Sequence, residues 1–361
     1  MSKLLRIPGF LVLAATLLAC GGGLELQVVN SDQKKPNNVW VFFTAMEGDE
    51  PAGGMTADDF QIYEDDKEVS KFESKQLIQN PEVAAVMYTM LLVDMSGSVS
   101  ESGEVDKLVD AAKSFSDRVG KHQKVGVYAF DGSEKLHSVT PFTESKGSVE
   151  GGIEGLRSFK AKDPSTNLHG AVVAGVRELK EGLDKDKKPL KFGTLVVFTD
   201  GTDQAARVSR EDMTEELGQE DYEHYQFYAI GVGAEMEEAG LEDIGRDGTV
   251  LASDHGEVQK AFDEVAAKVE NHMKRFYLLS YCTPARAGTH LVRIEATRKD
   301  SEGGESSGSA EYEFNADGFG PPPDCDPKKK PTFDLKAPED AGPGTPKGSG
   351  GASVDASVEI N

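Results

Sequence analysis

Between residues 84 and 275, short apolar runs of strand character alternate with longer stretches whose apolar residues recur every three or four positions. The runs cover 86–94, 124–131, 136–142, 194–200, 225–233 and the short pair 250–251. One helical stripe is Val105, Leu108, Ala112, Phe115 and Val119, and a second is Leu168, Val172, Val176, Leu179 and Leu183. A third is Val258, Phe262, Val265, Val269, Met273 and Phe276. The alternation predicts an α/β unit, a doubly wound and mostly parallel sheet with helices on both faces, and the stripes are the faces that lie on it. Too few residues separate the second and third runs for a crossover helix. That pair is therefore expected to be an antiparallel hairpin at a sheet edge.

The first run ends at Asp94 and is followed by Met95-Ser96-Gly97-Ser98. Ligands of open parallel sheets collect beyond the carboxyl ends of the strands, which puts Asp94, Ser96 and Ser98 on the binding edge. One carboxylate with alternating hydroxyls on a tight loop suits Mg2+ or Mn2+ better than zinc, and Ca2+ fits less well. Two further stretches supply oxygen at comparable places. Asp163-Pro164-Ser165-Thr166-Asn167-Leu168 opens a helix and offers the Thr166 hydroxyl. Phe198-Thr199-Asp200-Gly201 ends the most apolar strand, with a glycine that permits a tight turn. A helix cap without metal would explain Ser96 and Ser98. It would explain neither Thr166 nor Asp200. Asp131, Asp163 and Asp203 are expected near the site, either directly behind the metal donors or, the favoured reading, in solvated loops, and His169 is the histidine expected nearest the site.

With these residues in place, the segment 84–275 resembles a von Willebrand factor type A (VWA) domain. The metal-ion-dependent adhesion site of that family, abbreviated MIDAS, has the form Asp-x-Ser-x-Ser, a distant Thr, then Thr-Asp-Gly. The sequence matches at Asp94, Ser96, Ser98, Thr166 and Asp200. The resemblance implies a Rossmann-like fold, a divalent cation at those five residues, and a protein partner that completes the coordination with a Glu or Asp carboxylate.

The flanks read differently. Residues 39–43, 59–64 and 68–72 have strand character but are too few to be stable alone, and period-two patterning returns at 277–281, 290–296 and 310–314. A β-sandwich built from segments 37–82 and 276–318, with the α/β unit inserted between them, follows. Residues 20–36 are expected to be a tether. Residues 319–361, rich in Pro, Gly, Lys and Asp, are expected to be a disordered tail.

Lys3 and Arg6 precede an apolar run over 10–18, long enough for the core of a secretory signal and too short for a membrane span. It ends Leu17-Leu18-Ala19-Cys20-Gly21, which resembles a bacterial lipoprotein box. The resemblance implies removal of residues 1–19 and lipidation of Cys20, and Gly21 in place of Asp is similar to lipoproteins sent to the outer membrane. An ordinary signal peptide is the competing reading. If Cys20 carries lipid, Cys282 and Cys325 remain, either as a disulfide or as two free thiols. The balance of 63 Asp and Glu against 39 Lys and Arg, a net charge of -24, argues against nucleic acid as a partner.

Enzymatic motifs are missing from the sequence. There is no Gly-x-Ser-x-Gly elbow, no His-Glu-x-x-His and no Gly-x-x-x-x-Gly-Lys loop, and Ser96 stands where an aspartyl phosphatase of the haloacid-dehalogenase type needs a second Asp. The function expected is a cell-envelope lipoprotein, not an enzyme, that bridges through its cation to a protein partner. The competing readings are a scaffold whose metal only stabilises the fold, and a metal-dependent hydrolase.

Overall fold

The computed structural model describes residues 23–121, 123–233, 240–299, 304–320, 324–331 and 333. Six strands precede the α/β unit: β1 (Leu24–Lys34), β2 (Asn38–Glu47), β3 (Glu50–Pro51), β4 (Phe60–Glu64), β5 (Lys67–Glu68) and β6 (Leu77–Gln79). The unit itself begins with β7 (Ala85–Asp94), α1 (Gly97–Ser100), α2 (Val105–Val119), β8 (Lys124–Phe130), β9 (His137–Thr143) and α3 (Lys146–Gly155). It continues through α4 (Leu168–Asp184), β10 (Leu190–Thr199), α5 (Arg210–Leu217), β11 (Gln226–Val232), α6 (Leu241–Ile244), β12 (Gly248–Ala252) and α7 (Val258–Lys274). Three strands follow α7 among the described residues: β13 (Phe276–Cys282), β14 (Thr289–Lys299) and β15 (Glu305–Asn315).

The central sheet runs β12-β11-β10-β7-β8-β9, parallel except for the antiparallel edge strand β9. Alternate residues of β7 face opposite sides, as the pleat requires. Leu91 and Val93 enter a core with the stripes of α2 and α7, whereas Met90 and Leu92 enter a second core with α4 and α5. The helix after β7 thus covers one face and the helix before β10 covers the other. The crevice between the carboxyl ends of these neighbouring strands is a topological switch point.

The flanking segments form two antiparallel sheets, β1-β2-β13-β6 with β3 appended, and β15-β14-β4-β5. They share one core in which Phe43, Phe60, Ile62 and Tyr277 meet Val292, Ile294 and Phe314, so segments from both sides of the α/β unit build one sandwich. Within it Glu64 is buried and accepts hydrogen bonds from Tyr281 (2.9 Å) and Thr283 (2.8 Å). A fourth cluster joins the sandwich to the α/β unit through Trp40, Phe42, Met87, Leu190, Phe192, Phe276 and Phe333.

Two expectations are corrected. The stretch 20–36 is not a tether over its described part, because residues 24–34 are strand β1, paired antiparallel with β2 and burying Leu24, Leu26 and Val28. The alternation in Leu24-Glu25-Leu26-Gln27-Val28 outweighs the neighbouring glycines and Pro36. The tail is packed as far as residue 333 in its described part: Cys325 and Phe333 are buried, and Cys325 is joined to Cys282 by a disulfide. Residues 1–22, with the signal segment and Cys20, and residues 334–361 lie outside the described part. No helix among the described residues is long and apolar enough to cross a membrane.

At the junction, His272 on α7 is buried against the edge of the Phe276 ring, with its Nε2 3.2 Å from Arg275 Nη2. Burial, then the Arg275 charge, push its pKa down to about 2. The folded state keeps the ring neutral while the unfolded chain takes up a proton near the ordinary histidine value. This contribution is whole above about pH 6.5 and is lost progressively as pH falls towards the folded value. Urea unfolding should therefore lose about 2 kcal/mol between pH 7 and pH 4.5 on account of His272. In His272→Gln that part of the slope should disappear; an unchanged slope would sink the assignment.

Candidate metal centre

Three loops meet at the carboxyl ends of β7 and β10. Asp94, the last residue of β7, is fully buried. Its Oδ1 accepts the Ser96 N–H at 2.8 Å, and its Oδ2 accepts the Thr199 hydroxyl at 2.6 Å. The Asp-x-Ser turn thus closes on its own carboxylate, and the adjacent strand holds the other oxygen. Ser96 Oγ lies 3.1 Å from Ser98 Oγ, which donates to Asp200 Oδ1 at 2.7 Å. Four of the five expected residues are therefore joined by one continuous run of hydrogen bonds, the first of them through the Ser96 N–H.

Thr166 comes from the third loop. It is buried just ahead of α4, and its carbonyl accepts the N–H groups of Gln204 and Ala205, both at 2.9 Å. Its hydroxyl faces the turn after β10, where a Cβ on Gly201 would stand 3.4 Å from Thr166 Oγ1. A glycine there leaves the space in front of that hydroxyl clear.

Burial raises the pKa of Asp94 to about 6, against the opposing hydrogen bonds from Thr199 and Ser96, and the Asp200 charge adds to the rise. Asp200 is likewise raised by burial, and its bond from Ser98 works the other way. Among the described residues neither carboxylate pairs with a Lys or Arg side chain. Nor do three or more His, Cys, Asp or Glu side chains converge anywhere in that part. Only oxygen is on offer, two carboxylates and neutral hydroxyls, which fits a hard divalent cation.

Several neighbours were not legible as they stand. Thr199 lies inside Thr-Asp-Gly, yet its contact with Asp94 follows from the register of β10 beside β7. His255, after β12, is the histidine whose charge reaches Asp200, whereas His169 bonds the Val208 carbonyl and lies 3.6 Å from Asp203. Asp131 does not sit in a solvated loop. It is fully buried, and although burial alone would raise its pKa, hydrogen bonds from Ser133 and Lys162 bring it down to about 2. Asp203 accepts the His169 N–H at the start of α4, and Asp163 accepts from Ser165.

Residues 89–202 match the family described as von Willebrand factor type A domain. Among solved structures, the chain is similar to the von Willebrand factor type A protein from Catenulispora acidiphila, at 14% identity over 82% of this chain and 74% of that one, with a TM-score of 0.44. It is also similar to proximal thread matrix protein 1 from the mussel byssus, solved with a zinc-occupied MIDAS motif, at 18% identity over 51% and 48% of the two chains (TM-score 0.42). A third is the vWF domain of the type V pili tip protein Mfa5 from Porphyromonas gingivalis, at 9% identity over 53% and 97% (TM-score 0.41). No curated protein matches the chain.

Proposed function

We propose, taking the central unit as a von Willebrand factor type A domain, that Asp94, Ser96, Ser98, Thr166 and Asp200 hold Mg2+, or Mn2+ in its place, and that the protein uses this ion to bind a carboxylate on a protein partner in adhesion or complex assembly. The observation that carries the reading is a fully buried carboxylate, Asp94, and a half-buried one, Asp200, joined through Ser96 and Ser98 at a sheet switch point with no basic side chain paired to either among the described residues. A buried acid with a second carboxylate close enough to raise it further is costly without a compensating positive charge. When bound, a cation held by only two carboxylates supplies Lewis acidity towards one more anionic oxygen, and a Glu or Asp side chain is the partner group that fits.

The chain's own residues do the orienting. Thr199 and the Ser96 N–H fix both oxygens of Asp94, and Ser98 fixes one oxygen of Asp200. Among the described residues no hydrogen bond joins a histidine to Ser96 or Ser98, and the carboxylate that Ser98 does bond, Asp200, belongs to the proposed donor set. This favours binding over hydrolysis. The reading includes export and a lipid anchor on Cys20 in a bacterial membrane, the outer one by the identity of Gly21, and it excludes nucleic acid because of the strongly acidic balance.

Calorimetric titration of Mg2+ and Mn2+ into the chain from Gly21 tests the site. Wild type is expected to bind saturably, and Asp94→Ala to bind about a hundredfold more weakly, since it removes one of two charged donors. Equal binding by both, or none by wild type, would remove the metal from the reading. Where wild type binds, retention of a partner that survives chelation would leave the ion a structural role only.

A further inference from the structure

Asp131 is a fully buried carboxylate beside the centre that the donor set does not use. It follows β8, the strand next to β7. Its Oδ1 accepts the Ser133 N–H at 2.8 Å, and its Oδ2 accepts those of Lys162 at 2.8 Å and Asp163 at 3.4 Å. Its main-chain carbonyl accepts the Asn167 N–H at 3.2 Å. Nε2 of His137, at the start of β9, stands 3.3 Å from the same Oδ2. One side chain therefore ties the turn after β8 to a segment some thirty residues on.

That segment reaches the centre in two places. Thr166 belongs to it. The carbonyl of Pro164 accepts the Gly97 N–H at 2.8 Å, so the segment also braces the turn that carries Ser96 and Ser98. Neither crossing has slack: a Cβ at Gly132 would collide with Ser165 Oγ, and one at Gly97 would stand 3.0 Å from Pro164 Cβ. From outside, Arg207 donates to the Gly132 carbonyl at 2.7 Å and pairs with Asp163 at 3.3 Å, closing the same seam.

We propose that Asp131 is a positioning residue for the centre. By holding the Lys162 and Asp163 amides it fixes segment 162–167, and thereby places the Thr166 hydroxyl and the Gly97 turn relative to Asp94 and Asp200. The consequence for cation affinity rests on the metal reading above; the clamp itself does not. Asp131→Asn is the informative change, because Asn keeps an acceptor for Ser133 and takes one from Lys162. A control is Asp186→Asn, which disturbs another carboxylate, one bonded to Lys124 and Tyr88 near the opposite ends of β8 and β7.

Two measurements on the full-length protein decide. Amide exchange without added metal should accelerate about tenfold at 96–98 and 162–167 in Asp131→Asn, while β7 and β10 keep their protection. Mg2+ affinity, read by calorimetry, should fall about tenfold in the same variant and hold in Asp186→Asn. Unchanged exchange at 162–167, or acceleration spread evenly over the domain, would overturn the clamp, as would unchanged Mg2+ affinity in a protein whose wild type binds the ion. Failure of wild type to bind Mg2+ would instead overturn the metal reading, and exchange alone would then judge Asp131.

Discussion

Phe42→Ala is expected to cost about 3–5 kcal/mol and to split a single unfolding transition in calorimetry into two. Phe42 is fully buried in the cluster between sandwich and α/β unit. Its ring centroid lies 5.9 Å from that of Phe192 on β10, 5.5 Å from Phe276 on β13 and 6.3 Å from Phe333 near the end of the described chain. The substitution thus opens a void where four separate stretches meet, and rigid strands on each side limit how far the gap can collapse. Each unit keeps its own core, so what weakens is the coupling. Phe72→Ala is the natural control, because Phe72 is 93% exposed and its loss should change stability by no more than about 0.5 kcal/mol. One transition lowered no more than that of the control would mean that the aromatic cluster does not couple the two units.

The α/β unit was legible because its signals are redundant. Aliphatic strands, helical stripes and the short link between residues 131 and 136 agree on one topology, and the edge hairpin of β8 and β9 follows from that link. The flanking sandwich was legible as a need for partners: three short strands near residues 39–72 could not stand alone, and β13, β14 and β15 complete their sheets. Segments 24–34 and 324–333 were missed for one reason. Their composition is that of linkers, while what orders them is long-range. Residues 24–34 find β2, and the segment after 324 is held by side chains from positions 38, 40, 75 and 79.

At the centre, the motif residues could be read from spacing because each stands at the end of a strand or the start of a helix. Asp131 could not. An Asp after a strand is usually solvated, and only the fold, by bringing Lys162 and Asp163 against it, turns that residue into a buried acceptor. Thr199 tells the same story on a smaller scale, since its bond to Asp94 exists only because β10 lies beside β7.

Cys325→Ser should cost about 4 kcal/mol, the chain-entropy figure for a link between residues 43 apart in sequence. The segment it anchors has no strand ladder to hold it. Its carbonyls accept instead from single side chains: Cys325 from Lys75 (3.1 Å), Asp326 from Asn38 (2.6 Å), Pro327 from Gln79 (2.5 Å) and Lys329 from Trp40 (3.0 Å). Gln79 also reaches the Lys329 carbonyl at 3.4 Å, and such bonds contribute about 1 kcal/mol each, whereas ordering the backbone costs about 1–2 kcal/mol per residue. Apart from these bonds the segment is held by the burial of Phe333 against Phe42, and without the covalent link it should detach before the sandwich unfolds. Trp40 is the sole tryptophan of the chain and its indole N–H bonds this segment, so its fluorescence isolates the event. In Cys325→Ser the emission should move to the red under native conditions and the urea midpoint should fall. Mg2+ binding should not change, because the bonds lost lie on the sandwich and not at the ends of β7 and β10. Unshifted emission together with an unchanged midpoint would mean that the side-chain bonds and Phe333 hold the segment without the disulfide.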